Sequence, residues 1–458
     1  MRQEDDHMRY TARTPRGTRG TTGRTLRTCL AVTLGVGLLA ACGGNGNDDD
    51  NGTGGGGSAD GDPDPVTLSI GVFGQFGLEE AGLYDEYMEA NPHVTIEQNS
   101  TQRSEDYYPA LLTRLPTGSG LSDIQAIEVA NINEIANDLG RYFVDLSEAE
   151  GVDLGHFLPW KVDQATGADG RVVGLGTDIG PMSICYRKDL FEEAGLPTDR
   201  DEVGALWDGD WQAYIDTGKE FQENSSGDAK WVDSGSGMFS AIANSYAERY
   251  YNEAGETIYE DSEAVRTAWD MAVQAAEEGL TARHDLFSTE WDQGMANGDF
   301  ATLSCPAWML GYIEDKSGGE GEGAWDVAAA PRPANWGGSF LGVTEASENK
   351  EEAIKLITWL TAPEQQAKLF AERGSFPSSA EAQESEVVQN ATNSYFGDAP
   401  IGELFTAAAA DIPTLIVGPR DQVIQEGFSN GVLRVEQGAD AEEAWDATVR
   451  AVDNALAD

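Results

Sequence analysis

Basic residues are few in this chain of 458 residues, which has 29 Lys and Arg against 80 Asp and Glu. The formal net charge at pH 7 is −51. A surface of this charge repels polyanions, so neither nucleic acid nor an anionic lipid surface is expected as a partner. The acidic residues are spread along the whole chain, and no calcium-binding D-x-D-x-D-G-x5-E loop occurs. We interpret the charge as a means of solubility in a salty habitat.

Histidine and cysteine are also scarce, with four residues of each type. The histidines share no metal-ligand spacing, and the cysteines that remain after N-terminal processing cannot build a four-cysteine zinc site. Neither a metal nor another cofactor is expected. Cys185 and Cys305 each lie within an apolar, strand-like run. In an oxidising compartment they form either a disulfide or two separate buried thiols.

Long apolar runs are absent after residue 41, so no membrane-spanning helix is predicted. The apolar run 29–41 is too short to cross a bilayer, follows an Arg-rich segment and ends in small residues, as a secretory signal does. Its end, Leu-Ala-Ala-Cys at 39–42, resembles the bacterial lipobox. That resemblance implies a signal peptide over residues 1–41 and lipid attachment at Cys42. The alternative is an ordinary signal that is cleaved near a cysteine.

Residues 42–65 are rich in Gly, Asp and Asn and have almost no apolar side chains, which is typical of a flexible tether. Cleavage after residue 41 removes seven Arg and three acidic residues. The mature chain then has 22 basic and 77 acidic residues, with a formal charge of −55. Attachment to the extracellular face of the cytoplasmic membrane must therefore come from the acyl chains, of which at least two are needed.

About 390 residues follow the tether, which suits two domains better than one core. The pattern predicts a strand at 66–73, a helix at 78–90, a strand at 94–96, a helix at 107–115 and a strand at 124–129. This order indicates an α/β fold with mainly parallel sheets and ligand-facing loops at the carboxyl ends of the strands. Candidate binding residues from loop position are Gln75, Phe76, Glu128 and Phe239.

Residues 170–197 (GRVVGLGTDIGPMSICYRKDLFEEAGLP) resemble extracellular solute-binding proteins of sugar-specific ABC importers. The segments 297–312, 325–343 and 353–366 match the same family in the same order. Together the resemblance covers residues 66–458. Short segments near 336–339, 393–400 and 418–420 are most similar to actinobacterial binders of β-linked gluco-oligosaccharides such as cellobiose.

The resemblance implies a two-lobed, periplasmic-binding-protein-like fold in which the chain crosses between the lobes several times. Lobe one is assigned to 66–178 and 338–392, and lobe two to 179–337 and 393–458. A monomer is expected to hold an oligosaccharide in the cleft between the lobes and deliver it to ABC permease subunits in the membrane.

A saccharide has apolar C–H faces and a rim of hydroxyls. A protein that binds it needs aromatic rings that stack on the faces, and hydrogen-bond donors and acceptors for the hydroxyls. Trp308 matches the cleft tryptophan of the family, and Asp178 matches an acidic position before the first lobe crossing. Trp336 lies beside two glycines that allow close approach of a ligand. Arg420 precedes a predicted helix. For each, the alternative is a structural role: a core residue for the tryptophans, a hinge cap for Asp178 and an ion pair for Arg420.

A secreted carbohydrate-active hydrolase that uses paired carboxylates is the rival interpretation. A G-x-S-x-G match occurs at 427–431, but it lies within a predicted helix and no histidine follows His284. No Walker-type G-x-x-x-x-G-K-[ST] motif occurs, so ATP hydrolysis belongs to partner subunits. The chain is predicted to bind its ligand and not to be an enzyme.

Overall fold

A computed structural model of the chain describes residues 63–457. The predicted signal peptide, Cys42 and nearly all of the predicted tether lie outside this range. The strands within it are β1 (Val66–Phe73), β2 (Val94–Thr101), β3 (Ile124–Glu128), β4 (Leu175–Gly176), β5 (Asp178–Ile179), β6 (Met182–Arg187), β7 (Lys230–Val232), β8 (Phe300–Pro306), β9 (Trp325–Ala329), β10 (Ser339–Val343) and β11 (Phe376–Pro377).

The α-helices in the same range are more numerous than the strands and cover the sheets. They are α1 (Leu83–Ala90), α2 (Ser104–Arg114), α3 (Val129–Asp138), α4 (Pro159–Gln164), α5 (Lys188–Glu193), α6 (Arg200–Ala205), α7 (Trp211–Asn224), α8 (Gly235–Ala243), α9 (Glu263–Glu277), α10 (Thr289–Asn297), α11 (Met309–Gly321), α12 (Lys350–Leu360), α13 (Pro363–Arg373), α14 (Ala380–Gln383), α15 (Glu386–Gln389), α16 (Ile401–Ala410), α17 (Asp421–Glu436) and α18 (Ala441–Ala457). No helix among them combines the length and the apolar character needed to cross a membrane.

Two sheets define two lobes. Lobe one is built around a five-stranded sheet with the order β2-β1-β3-β10-β4, and lobe two around a four-stranded sheet with the order β7-β8-β6-β9. The two-lobed α/β architecture predicted from the sequence is confirmed.

The expectation of mainly parallel pairing holds only in part, because both sheets are mixed. Strand β1 runs parallel to β2 and β3, and β7 runs parallel to β8. Strand β10 is antiparallel to both of its neighbours, and so is β6. Helices connect β1 to β2 and β2 to β3, which favours parallel pairing. Strands β6 and β10 instead enter their sheets directly from the opposite lobe, and each runs against its neighbours.

The chain crosses between the lobes at β5, which pairs with β11, and at the segment before β10. These crossings lie side by side, since Trp336 N–H donates to the Gly180 carbonyl at 2.8 Å. A Cβ at position 180 would come within 1.8 Å of the Trp336 carbonyl oxygen. Only glycine therefore fits at position 180, which explains the Gly-Pro step in the sequence.

Each lobe has its own apolar core. The core of lobe one is mainly aliphatic, with Leu68, Ile70 and Leu356 fully buried. The core of lobe two is rich in aromatic residues, and the Trp231 ring lies 5.0 Å from that of Tyr214 and 6.0 Å from that of Trp207. Such contacts add to the stability that burial alone provides.

Strands β6 and β8 of lobe two are joined by a disulfide between Cys185 and Cys305, whose Cα atoms lie 5.4 Å apart. Both residues are fully buried. Because β8 continues directly to Trp308, the disulfide fixes the strand that leads to the cleft described next.

Candidate ligand-binding cleft

A cleft of about 330 Å³ lies between the two lobes. Lobe one contributes the loop after β1 and the ends of β3 and β5. Lobe two contributes α8, α11, α17 and the loop before α10, and the crossing segment at 336–339 forms part of the floor. Clefts of this size between lobes are common sites for small ligands.

Six of the eight ligand-binding residues predicted from the sequence line this cleft. They come from separate parts of the chain, and the fold brings them together: Gln75, Phe76, Glu128, Asp178, Trp308 and Trp336. Their role in binding stays a prediction, which the variants described below test.

Asp178 is held at the cleft floor with one carboxylate oxygen already engaged. Its Oδ1 accepts from the Thr177 hydroxyl at 2.8 Å and from the Ser339 N–H at 2.9 Å. Burial raises the pKa of Asp178, while Lys161 and these two hydrogen bonds lower it. The second oxygen is the atom that can accept from a ligand hydroxyl.

Glu128 lies on the other side of Ser339, with which it pairs in the β3–β10 register. As the N-cap of α3, it accepts from the Ala130 N–H at 2.6 Å through Oε2. Burial raises the pKa of Glu128 to about 7, against the opposing effects of the Ala130 N–H, Arg249 and Lys161. The two carboxylates thus flank the first residue of β10 and face the same space.

Trp308 and Trp336 meet at right angles on the lobe-two side of the floor. The Trp308 Nε1–H donates to the Trp336 carbonyl at 2.9 Å, and the ring centroids are 6.1 Å apart at 80°. Trp308 is partly exposed in the cleft, and Trp336 is 9% exposed. The Phe287 ring lies 6.3 Å from Trp308 at 26°. This aromatic surface could cover the apolar face of a sugar ring.

Two of the eight predicted ligand-binding residues, Phe239 and Arg420, do not line the cleft. Phe239 is fully buried and stacks on Phe428 at 5.8 Å, because this side of α8 faces α17. Ser236 and Ser240 of the same helix line the cleft instead. Arg420 precedes α17 in a left-handed conformation (φ 60°) and does not line the cleft. Burial raises the pKa of Glu134 in lobe one, and the Tyr108 hydroxyl and the charge of Arg420 oppose that rise.

Sequence reasoning missed several cleft residues. Tyr312 lies one helical turn after Trp308, so the i, i+4 spacing along α11 could have identified it. Ser236 and Ser240 have the same spacing on α8. Phe287 and Gln425 carry no such signal, because nothing in the sequence shows that their segments face lobe one.

Charged side chains also link the lobes around the cleft. Arg103 of lobe one lies 3.8 Å from Asp285 of lobe two, and both line the cleft. Deeper in lobe two, Arg249 donates to Asp421 at 2.6 Å, and both are almost fully buried. Burial raises the pKa of Asp421 to about 6, and the charge of Arg249 opposes this rise.

Residues 63–457 contain no cluster of His, Cys, Asp or Glu that could hold a metal ion.

Substituting Asp178→Asn should weaken sugar binding by about 1.5–3 kcal/mol, because a charged acceptor becomes a neutral one. The fold should survive, since the amide oxygen can still accept from Thr177 and Ser339. Isothermal titration calorimetry gives the affinity, and circular dichroism checks the fold. Asp163→Asn on the outer part of α4 is a matched control and should leave affinity unchanged. An unaltered affinity for the Asp178 variant would contradict its role as an acceptor.

Comparison with known proteins agrees with this geometry. Residues 82–395 match the family model of the bacterial extracellular solute-binding proteins. The chain belongs to this family. A solved structure of an extracellular solute-binding protein family 1 member is 41% identical, with a TM-score of 0.72, and the match covers 85% of this chain and 100% of that one.

One more distant relative is named for the sugar that it binds, and another was solved with a sugar bound. The lactose-binding protein of Rhizobium radiobacter is 26% identical over 355 residues, which cover 70% of this chain and 81% of that protein. A transporter-associated binding protein of B. animalis subsp. lactis Bl-04, solved with β-1,6-galactobiose, has a TM-score of 0.72 at 21% identity. That match covers 85% of this solute-binding protein and 97% of the other chain, and shows the fold alone.

Proposed function

We propose that this protein captures an oligosaccharide in the inter-lobe cleft and delivers it to the permease subunits of an ABC importer. It acts as a monomer held by a lipid anchor on the extracellular face of the cytoplasmic membrane. The observation that carries the proposal is the cleft itself, where the partly exposed aromatic surface of Trp308 lies near the carboxylates of Asp178 and Glu128.

The energetics of such a site are sufficient for binding. Covering one sugar face removes about 100 Å² of apolar surface, or roughly 2–3 kcal/mol. Two stacked aromatic rings and several hydrogen bonds can together supply the binding free energy of ~8 kcal/mol that micromolar affinity requires, after the cost of association.

We further propose a β-linked disaccharide or short oligosaccharide, such as cellobiose, as the ligand. The sequence segments near 336–339, 393–400 and 418–420 resemble those of cellobiose-type binders. Lactose and β-1,6-galactobiose, named for two of the relatives, are also β-linked disaccharides.

Thermal-shift and calorimetric titration with cellobiose, lactose and β-1,6-galactobiose tests this function. At least one sugar should raise the melting temperature and bind with a dissociation constant near the micromolar range. The same sugar, incubated with the protein and analysed by chromatography, should be recovered intact. A shortened product would favour the hydrolase interpretation, and no binding to any sugar would contradict the proposal.

Replacing Cys42 by Ala should release the domain from the membrane or leave its signal uncleaved, because no thiol remains for acylation. Detergent partitioning of cell fractions measures the change. Cys29→Ala is the matched control, since that residue lies within the predicted signal, and it should leave partitioning unaltered. A Cys42→Ala protein that still partitions as a lipoprotein would contradict the anchor.

A further inference from the structure

Lys161 is a buried lysine directly beneath the cleft floor. It lies on α4, is 1% exposed, and its Nζ has no hydrogen-bond partner among the described residues. An ammonium group removed from water in this way is costly unless other charges compensate for it. The position therefore calls for an explanation beyond packing.

The ammonium group of Lys161 lies close to the cleft, and only one residue stands between it and the space where a ligand would bind. Its Nζ lies 3.8 Å from the centroid of the Phe340 ring, a cation–π contact. Gly338, which lines the cleft, separates it from the ligand space: a Cβ at that position would come within 3.0 Å of the Lys161 Nζ. Gly338 has a φ of 104°, so a larger residue would be strained there as well as crowded.

The charges that act on the Lys161 ammonium are those of the two cleft carboxylates. Asp178 and Glu128 both raise its pKa, while burial lowers that pKa to about 8. In return, Lys161 lowers the pKa of each carboxyl against the effect of burial. The other charged groups that act on Glu128 come from lobe two, where Arg249 lowers its pKa and Asp421 raises it.

We propose that Lys161 is a positioning residue for carbohydrate binding, which favours the ionised forms of Asp178 and Glu128 without touching the ligand. An ionised carboxylate accepts hydrogen bonds through both oxygens, whereas a protonated carboxyl presents one of them as a donor. One oxygen of each carboxylate already accepts a hydrogen bond from the protein. Protonation would therefore turn the other oxygen, which is left for the sugar, from an acceptor into a donor. The inference rests on the proposed function.

Lys161→Met tests the inference, because Met keeps much of the side-chain length and removes the charge. We expect about fivefold weaker binding of cellobiose, lactose or β-1,6-galactobiose at pH 7, because without the ammonium group the pKa of both carboxyls rises and a smaller fraction of them is ionised. The loss should disappear near pH 9, where the carboxylates ionise in both proteins and Lys161 of the unsubstituted protein is largely neutral. The pH below which affinity falls should therefore be higher in the variant.

Calorimetry between pH 5 and pH 9 separates this role from a merely structural one. A structural role would weaken binding equally at every pH, and that result would overturn the inference. Lys355→Met, on the exposed side of α12, is the matched control and should keep the profile of the unsubstituted protein. If the unsubstituted protein binds none of the three sugars, the proposed function fails, and the inference fails with it.

A second variant and a second measurement keep the inference testable if Lys161→Met does not fold. Lys161→Gln keeps a polar end group and should show the same upward shift in the pH profile. Carboxyl ¹³C NMR titration of the unsubstituted protein needs no variant and no sugar. It should show Asp178 and Glu128 ionised at pH 8, and protonated carboxyls at that pH would overturn the inference.

Discussion

Trp308→Ala should reduce sugar affinity by about 2–3 kcal/mol, or roughly 30- to 150-fold, while the free protein keeps its fold. The Trp308 ring is partly exposed in the cleft and is held in orientation by its Nε1–H bond to the Trp336 carbonyl. A ligand sugar that stacks on this ring would lose its apolar cover in the variant. Calorimetry with the sugar identified by screening measures the effect.

Trp359→Ala is the matched control for this experiment. Trp359 is also half-buried, but it packs against Tyr87 of lobe one at 5.3 Å and does not line the cleft. Its loss should lower the melting temperature and leave affinity unchanged. If instead Trp308→Ala lowers stability by ~3–5 kcal/mol and spares affinity, Trp308 is a core residue, and its assignment to the cleft surface is wrong.

Secondary structure was largely predictable from the sequence because the apolar periodicity is strong. The strand predicted at 66–73 coincides with β1, and the strand predicted at 124–129 extends one residue beyond the end of β3. Strand direction was less predictable. Pairing depends on which lobe a strand comes from, and neither β6 nor β10 carries a local signal of its partner.

The candidate site was predictable where a residue type and its place along the chain agreed. Glu128 follows a strand, and Asp178 and Trp308 lie at positions that the family resemblance marks. Phe239 was predicted to bind the ligand but does not line the cleft, because its position along the chain does not show which face of α8 turns inward. Nothing in the sequence marks Lys161 as a cleft residue, since a lysine in a short helix is expected at the surface unless the tertiary structure shows otherwise.

Removing the disulfide between Cys185 and Cys305 should lower the free energy of unfolding by about 3–5 kcal/mol. The two cysteines are 120 residues apart in sequence, and opening a loop of that length adds conformational entropy to the unfolded chain. Denaturant unfolding of the native protein, compared with protein that was unfolded, reduced and refolded in reductant, measures the difference. Both samples keep the two sulfur atoms, so the comparison separates the bridge from packing.

The double variant Cys185→Ala, Cys305→Ala provides the control, because it has no thiol in the described domain. Its stability should be the same with and without reductant, and lower than that of the oxidised protein. Thiol titration of the unreduced domain in denaturant should detect neither of these cysteines. Two reactive thiols at these positions would mean that the cysteines are separate buried groups, and strands β6 and β8 would then be held by their hydrogen bonds and packing alone.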